Sequence, residues 1–237
     1  MSVKSIIKLS HNPIGFGDIT NQLNTEIFEL TPPTLHRHIY YEDETLGLQI
    51  GVWDSTDMSK ISVPHGNDEF MVIIAGTVKI KNNKTDNIQT IMAGESVVIP
   101  QGYDYQWHQQ GYLRKLYLIY KPQEAQEKPV TEKVVYIDET NDITWQETSD
   151  GHRKKTLYQN NNQRFTAGVW QSNALTTNLI DFPYHEFIFI DKGSLICTDE
   201  MGVENCFKSG DALFIAQGTR CAWKVNDKVS IHFTQIK

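Results

Sequence analysis

The sequence predicts an all-β protein made of two tandem barrels. The first observation is an internal repeat: Gly51-Val52-Trp53, Glu69-Phe70 and Gly76 return as Gly168-Val169-Trp170, Glu186-Phe187 and Gly193, each 117 residues later. The second is its continuation: Gly94, Gln101-Gly102 and Trp107 return as Gly210, Gln217-Gly218 and Trp223, now 116 residues later. The third is the apolar pattern. Short runs rich in β-branched and aromatic residues are broken by Gly, Asn, Asp and Pro, and no long amphipathic helical period is evident.

The first half opens with a strand-like segment at 6–9. Strands are then expected at 48–53, 70–80, 96–99, 103–108 and 113–120, with a hairpin loop at 82–87. The second half opens at 134–137. It continues with 165–170, 187–197, 212–215, 220–225 and 229–235, and 199–202 takes the hairpin role. Phe70-Met71-Val72-Ile73-Ile74 and Phe187-Ile188-Phe189-Ile190 are apolar at every position, as in strands covered on both faces. Gly94 and Gly210 each precede an acid and suit a tight turn with positive φ. From opening strand to Gly-Val-Trp the first half spends 45 residues and the second 34, so extra material is expected around 20–44. The stretch 121–129 is polar and contains Pro122 and Pro129, as in a linker. These features divide the chain into a first domain at 1–121, a linker at 122–132 and a second domain at 133–237.

A hydrophobic content of 39% with 22% charged residues suits a soluble globular protein, and each half is long enough to bury its own core. The net charge of −7 argues against nucleic acid or an anionic membrane as the partner of the whole chain. Arg114-Lys115 and Arg153-Lys154-Lys155 are short basic clusters of the kind usually found on solvated surface. The amino terminus shows no secretory signal, and no apolar run approaches the length of a membrane span. Three cysteines, Cys197, Cys206 and Cys221, are a poor disulfide framework, so a reducing cytoplasm is expected.

Glu69 with Gly76 fits Glu-x6-Gly, and Gly94, Pro100 and Gly102 fit Gly-x5-Pro-x-Gly. Glu186 with Gly193, and Gly210 with Gly218, repeat the pattern, with Ala216 in place of the proline. These motifs resemble those of the cupin superfamily. The run from Gly51 to Thr56, Asp68-Glu69-Phe70, and Ile99-Pro100 with Gly102 and Trp107 resemble the branch of ethanolamine-utilisation cupins and the (S)-ureidoglycine aminohydrolase cupin domain. The resemblance implies two tandem cupin barrels, each a double-stranded β-helix or jelly roll. It implies a divalent ion, manganese in that branch, held by three histidines and a glutamate, and metal-assisted hydrolysis of a small nitrogenous compound. It also implies pairing into a homodimer, or a chain whose two barrels mimic such a dimer internally.

The ligand positions depart from that pattern. Aligned on Glu69, they hold Val63, His65 and Tyr105, with Gln109 where the second motif ends in Asn. His65 and Glu69 share strand parity and are the candidate metal ligands. In the second half the positions hold Ile180, Phe182, Glu186 and Cys221, and no metal is expected there. His36 and His38 alternate as ligands do and form a reserve pair. His108 and His185 have the wrong parity and should face away from the barrel interiors.

The candidate ligand pocket is therefore His65, Glu69, Tyr105 and Trp107 in the first barrel, with Phe182, Glu186, Cys221 and Trp223 in the second. No residue is assigned as catalytic. Glu69 and Glu186 are either structural carboxylates or pocket acids and bases. Cys221 lacks an activating histidine of matching parity, which favours an inert buried thiol. The tryptophans are either core packing or aromatic walls for a ligand. Three functions stay open: a small-molecule enzyme such as a hydrolase in the first barrel, a non-catalytic small-molecule binder, and a structural cupin without metal.

Overall fold

The computed structural model describes residues 6–17, 25–29, 31–61, 63–122, 129–140, 143–148 and 151–237. Among these the secondary structure is β-strand apart from one 3-10 turn, Thr25–Ile27. No helix among them is long and apolar enough to cross a membrane. The chain forms two compact units, Ser10–Tyr136 and Ile6–Leu9 with Ile137–Lys237.

The first unit has two sheets. One runs in the order Val135–Tyr136, Ser96–Ile99, Asp68–Ala75, Leu113–Tyr120, Leu48–Ser55 and Leu35–Asp43. The other runs Met58–Ser59, Asp104–Gln109, Thr77–Asn82 and Ile88–Met92, with Val63–Pro64 also pairing to Asp104–Gln109. All pairings are antiparallel. Met71, Ile73, Val78, Ile80, Val97, Ile99 and Leu113 fill the space between the sheets, and Tyr105 and Trp107 extend that core towards a cavity. The second unit repeats the arrangement. Its strand His185–Asp199 is 15 residues long and pairs with Val229–Ile236 at one end and Arg220–Val225 at the other.

The expected strands are present to within a few residues, and 96–99, 113–120, 212–215 and 220–225 match at both ends. The domain boundaries differ at two places. Ile6–Leu9 pairs with Ala212–Ile215 of the second unit, and Val135–Tyr136 pairs with Ser96–Ile99 of the first. Each barrel is thus completed by a strand from beyond its own stretch of sequence, which composition and local pattern cannot reveal. Of the linker, 123–128 lies outside the described residues.

The repeated glycines mark close approaches. A Cβ on Gly51 would lie 2.4 Å from the His38 carbonyl oxygen and 2.6 Å from the Tyr117 hydroxyl, and one on Gly168 would lie 1.9 Å from the Lys155 carbonyl oxygen. Gly94 and Gly210 take φ of 91° and 89°, as the turn reading requires. Leu35–Asp43 and His152–Gln159 are counterparts, because each pairs with a Gly-Val-Trp strand in the same register. The surplus of the first half therefore precedes Leu35, and its Ile27 and Phe28 help to line the first cavity.

Candidate functional site

A cavity of about 340 Å³ opens in the first unit. His65, Glu69, Tyr105 and Trp107 all line it, as strand parity predicts, together with Arg37, Trp53, Lys60 and Lys115. Along Asp104–Gln109 burial alternates, with Tyr105, Trp107 and Gln109 inward. His65 is pinned at its backbone: its amide donates to the Tyr103 carbonyl at 2.9 Å, and its carbonyl accepts from the Gly102 amide at 2.7 Å. Glu69 lies opposite Ile99 on one neighbouring strand and Ile119 on the other, within a sheet that fixes its direction.

The centre of the site is an ion pair. Lys115 Nζ lies 2.7 Å from Glu69 Oε1, and both side chains are about nine-tenths buried, at 10% and 7% exposure. The same ammonium sits 5.0 Å from the ring centroids of Trp53 and of Trp107. His65 Nε2 is 3.4 Å from Glu69 Oε2, and the Tyr105 hydroxyl is 3.2 Å from His65 Nδ1. Burial would push the Glu69 carboxyl up, but the Lys115 charge, the neighbouring His65 ring and the hydrogen bond from Lys115 outweigh it and hold the group well below its ordinary value. Burial and the Glu69 charge push the Tyr105 phenol far up, so it stays protonated. Gln109, at the family's Asn position, is occupied by local structure: its Nε2 donates to the carbonyls of Thr56 and Gly111 at 2.9 Å, and its Oε1 accepts from Trp107 Nε1 at 3.2 Å.

Lys115 was not foreseen. Arg114-Lys115 reads as one surface cluster, but strand alternation sends the two side chains to opposite faces. Arg114 pairs with Asp54 at 3.0 Å, and Lys115 enters the barrel. The repeat held a usable signal, because the counterpart of Lys115 is the core residue Ile231: each pairs with the tryptophan of a Gly-Val-Trp strand.

The EutQ-like cupin domain matches twice, over residues 42–117 and 160–233, more than half of the chain. The chain belongs to the EutQ-like cupin family. No curated protein matches it. Among solved structures it is similar to a Pseudomonas syringae pv. tomato protein of unknown function from the DUF861 family, at 19% identity and a TM-score of 0.77, covering 98% of this chain and 99% of that one. It is also similar to Escherichia coli protein Ylba of the DUF861 family, at 11% identity and 0.60, covering 99% and 91%. A third is Streptomyces albus HEPD with 2-hydroxyethylphosphonate and Fe(II) bound, at 6% identity and 0.61, covering 98% and 75%. These likenesses show the tandem cupin fold.

HEPD, with Fe(II) bound, is a metal-containing protein of similar fold. The donor set of this cupin does not fit a metal. Glu69 already has a cation on it, Lys115 Nζ, and His65 has Tyr105 on one nitrogen and Glu69 beside the other. A divalent ion at His65 and Glu69 has two protein donors at most and must displace a buried ammonium. Among the described residues no group of three His, Cys, Asp or Glu could hold a metal. The reserve pair does not reach the cavity either. His36 Nδ1 is 2.8 Å from Asp54 Oδ1, and His38 packs edge-on to Tyr40, whereas Arg37 between them lines the cavity. Alternation holds within the triplet, but the inward face carries Arg37 and not the two histidines.

The second barrel has a cavity of about 280 Å³, lined by Glu186 and Trp223 with His152, Lys154, Trp170 and Gln235. Phe182 and Cys221, the other two expected there, lie in the hydrophobic core instead. Phe182 packs 5.5 Å from Trp223, and the Cys221 thiol is pushed up to about 11 by burial. Glu186 is not isolated from titratable neighbours as its motif positions suggest. Gln235 donates to it at 3.1 Å and accepts from Lys154 Nζ at 3.0 Å. Burial pushes the Glu186 carboxyl up to about 7, against the smaller opposing influence of Lys154 and Gln235. Arg153-Lys154-Lys155 is thus no solvated cluster: Lys154 is in the cavity, and Lys155 is buried with Nζ on the Glu139 carbonyl at 2.9 Å.

His108 and His185 face away from the cavities, as parity predicts. His108 meets Ser59 at 2.9 Å, and His185 stacks on Phe214 with ring centroids 6.0 Å apart. All three cysteines are free thiols.

Proposed function

We propose that the first barrel binds a small organic anion, a carboxylate or phosphorylated metabolite, without a resident metal. The observation that carries this reading is the charge inventory of the cavity. Arg37, Lys60 and Lys115 face it with His65, against one carboxylate, Glu69. Lys115 neutralises Glu69, which leaves Arg37 and Lys60 as uncompensated cations above an aromatic and apolar floor. Low-dielectric walls strengthen their attraction for an anion and disfavour an incoming divalent cation. The size suits a metabolite of modest mass, with Trp53, Trp107 and Tyr105 as walls.

Manganese-assisted hydrolysis of a nitrogenous compound, which the family resemblance implies, finds no support in the donor set. A cationic amine or urea-like substrate would also meet two cations. Three free thiols suit a reducing cytoplasm as the place of action.

Isothermal titration with matched carboxylates, phosphomonoesters, amides and amines tests the proposal. Anions should bind, weaken about tenfold in Lys60→Gln, and lose affinity as salt rises. Equal binding of amides or amines, or anion binding indifferent to Lys60→Gln, would sink it.

A further inference from the structure

We infer that Lys60 is an amine nucleophile that forms an imine with a 2-oxo acid held in the first barrel. The inference rests on the anion reading and names the substrate class of that site: an anion with a carbonyl beside its carboxylate.

Three features single Lys60 out. Its backbone is held firmly: the amide donates to the Trp107 carbonyl at 3.0 Å and the residue bridges to Phe28, while its neighbours Ser59 and Ile61 bond to Glu29 and Ile27 at 3.0 Å. Its side chain lines the cavity, yet among the described residues its Nζ has no ion pair or hydrogen bond, whereas Lys115 is committed to Glu69. It also lies close enough to Lys115 for the two charges to repel. Burial and that repulsion push the Lys60 amine below its ordinary value, against a smaller opposing pull from Glu69. A desolvated amine beside a second cation is the arrangement that frees a lone pair for attack on a carbonyl.

The feature belongs to one barrel only. Thr177 donates its amide to the Trp223 carbonyl at 2.9 Å, just as Lys60 does to Trp107. The second copy therefore has a hydroxyl where the first has an amine.

The step balances without an added reagent. Neutral Nζ attacks the keto carbon, the C–N bond forms, and the carbonyl π pair moves to oxygen. One proton passes from nitrogen to that oxygen to give a carbinolamine. Protonation of its hydroxyl, with His65 and Tyr105 lining the same cavity, breaks the C–O bond. Water leaves and the nitrogen pair completes the protonated C=N bond. Arg37 lines the same cavity and would take the carboxylate.

The test is reductive trapping. The full-length protein is incubated with pyruvate or 2-oxoglutarate and cyanoborohydride at pH 7, digested, and mapped by mass spectrometry. The expected result is an adduct on Lys60 about tenfold above that on any surface lysine. Lys60→Arg should abolish it, while lactate and 2-hydroxyglutarate, which have no keto group, bind the wild-type protein without leaving an adduct. Trapping spread evenly over the lysines, or unchanged in Lys60→Arg, overturns the imine. If the hydroxy acids bind nonetheless, the anion reading stands alone. If neither hydroxy nor oxo acids bind, both fall.

Discussion

Replacing Lys115 by isoleucine, the residue at its counterpart position 231, removes the cation from Glu69 and leaves a buried carboxylate. At 2.7 Å and an effective dielectric constant of 20 the lost attraction is about 6 kcal/mol. Part of that is offset, because the pair itself was desolvated, and breaking a buried pair from one side costs about 3–5 kcal/mol. The second barrel gives an independent figure. Glu186 has no lysine at the counterpart position and is raised from 4.5 to about 7, which at 1.36 kcal/mol per unit is ~3 kcal/mol at neutral pH. The sign with pH follows. In the wild type Glu69 is depressed, so its contribution is present above its unperturbed value of 4.5 and is lost as pH falls. In Lys115→Ile its folded value is raised, so stability is lost as pH rises through that value. The deficit of the variant should therefore grow between pH 5 and pH 8, reaching about 3–5 kcal/mol at pH 8. Urea denaturation followed by tryptophan fluorescence at several pH values reads it, with the two units fitted as separate transitions. Lys115→Ile combined with Glu69→Gln should recover most of the loss. A deficit under about 1 kcal/mol at pH 8, or one that does not change with pH, refutes the buried-pair reasoning.

Other perturbations separate the two barrels. Glu186 is raised in the folded state, so its contribution is present below 4.5 and is lost as pH rises through about 7; Glu186→Gln should abolish that loss in denaturation midpoints compared at pH 5 and pH 8. Gly51→Ala drives a Cβ to 2.4 Å from the His38 carbonyl oxygen and should cost about 1–3 kcal/mol, seen as a lowered melting temperature; a neutral effect contradicts the close approach. His36→Ala should leave anion affinity within about twofold while costing about 1 kcal/mol through Asp54, since His36 lies outside the cavity; a tenfold loss of affinity contradicts its placement.

Strand parity made much of this legible. It sent Glu69, Tyr105 and Trp107 inward and His108 outward, because alternation along a strand is a local property. The same rule, applied to the triplet 36–38, points to Arg37 once the register of Leu35–Asp43 against Leu48–Ser55 is known. Two histidines with ligand-like spacing drew attention to the other face. Lys115 is hard to see in the sequence because adjacent charges commonly share a solvated face, although its counterpart Ile231 marks a core position. Lys60 carried no local sign at all. The repeat offset of 117 residues aligns it with Thr177, but its approach to Lys115 comes only through the fold. Ile6–Leu9 and Val135–Tyr136 were recognised as strands, but their partners lie more than 30 residues away in sequence, and no local pattern names them.

A crystal structure grown with manganese and a small carboxylate together, recorded at an energy where manganese scatters anomalously, addresses the first barrel most directly. The expected result is carboxylate density within hydrogen-bond reach of Lys60 and Arg37, with Lys115 Nζ still on Glu69 and no anomalous peak between His65 and Glu69. A manganese peak at His65 and Glu69 with Lys115 displaced would contradict it.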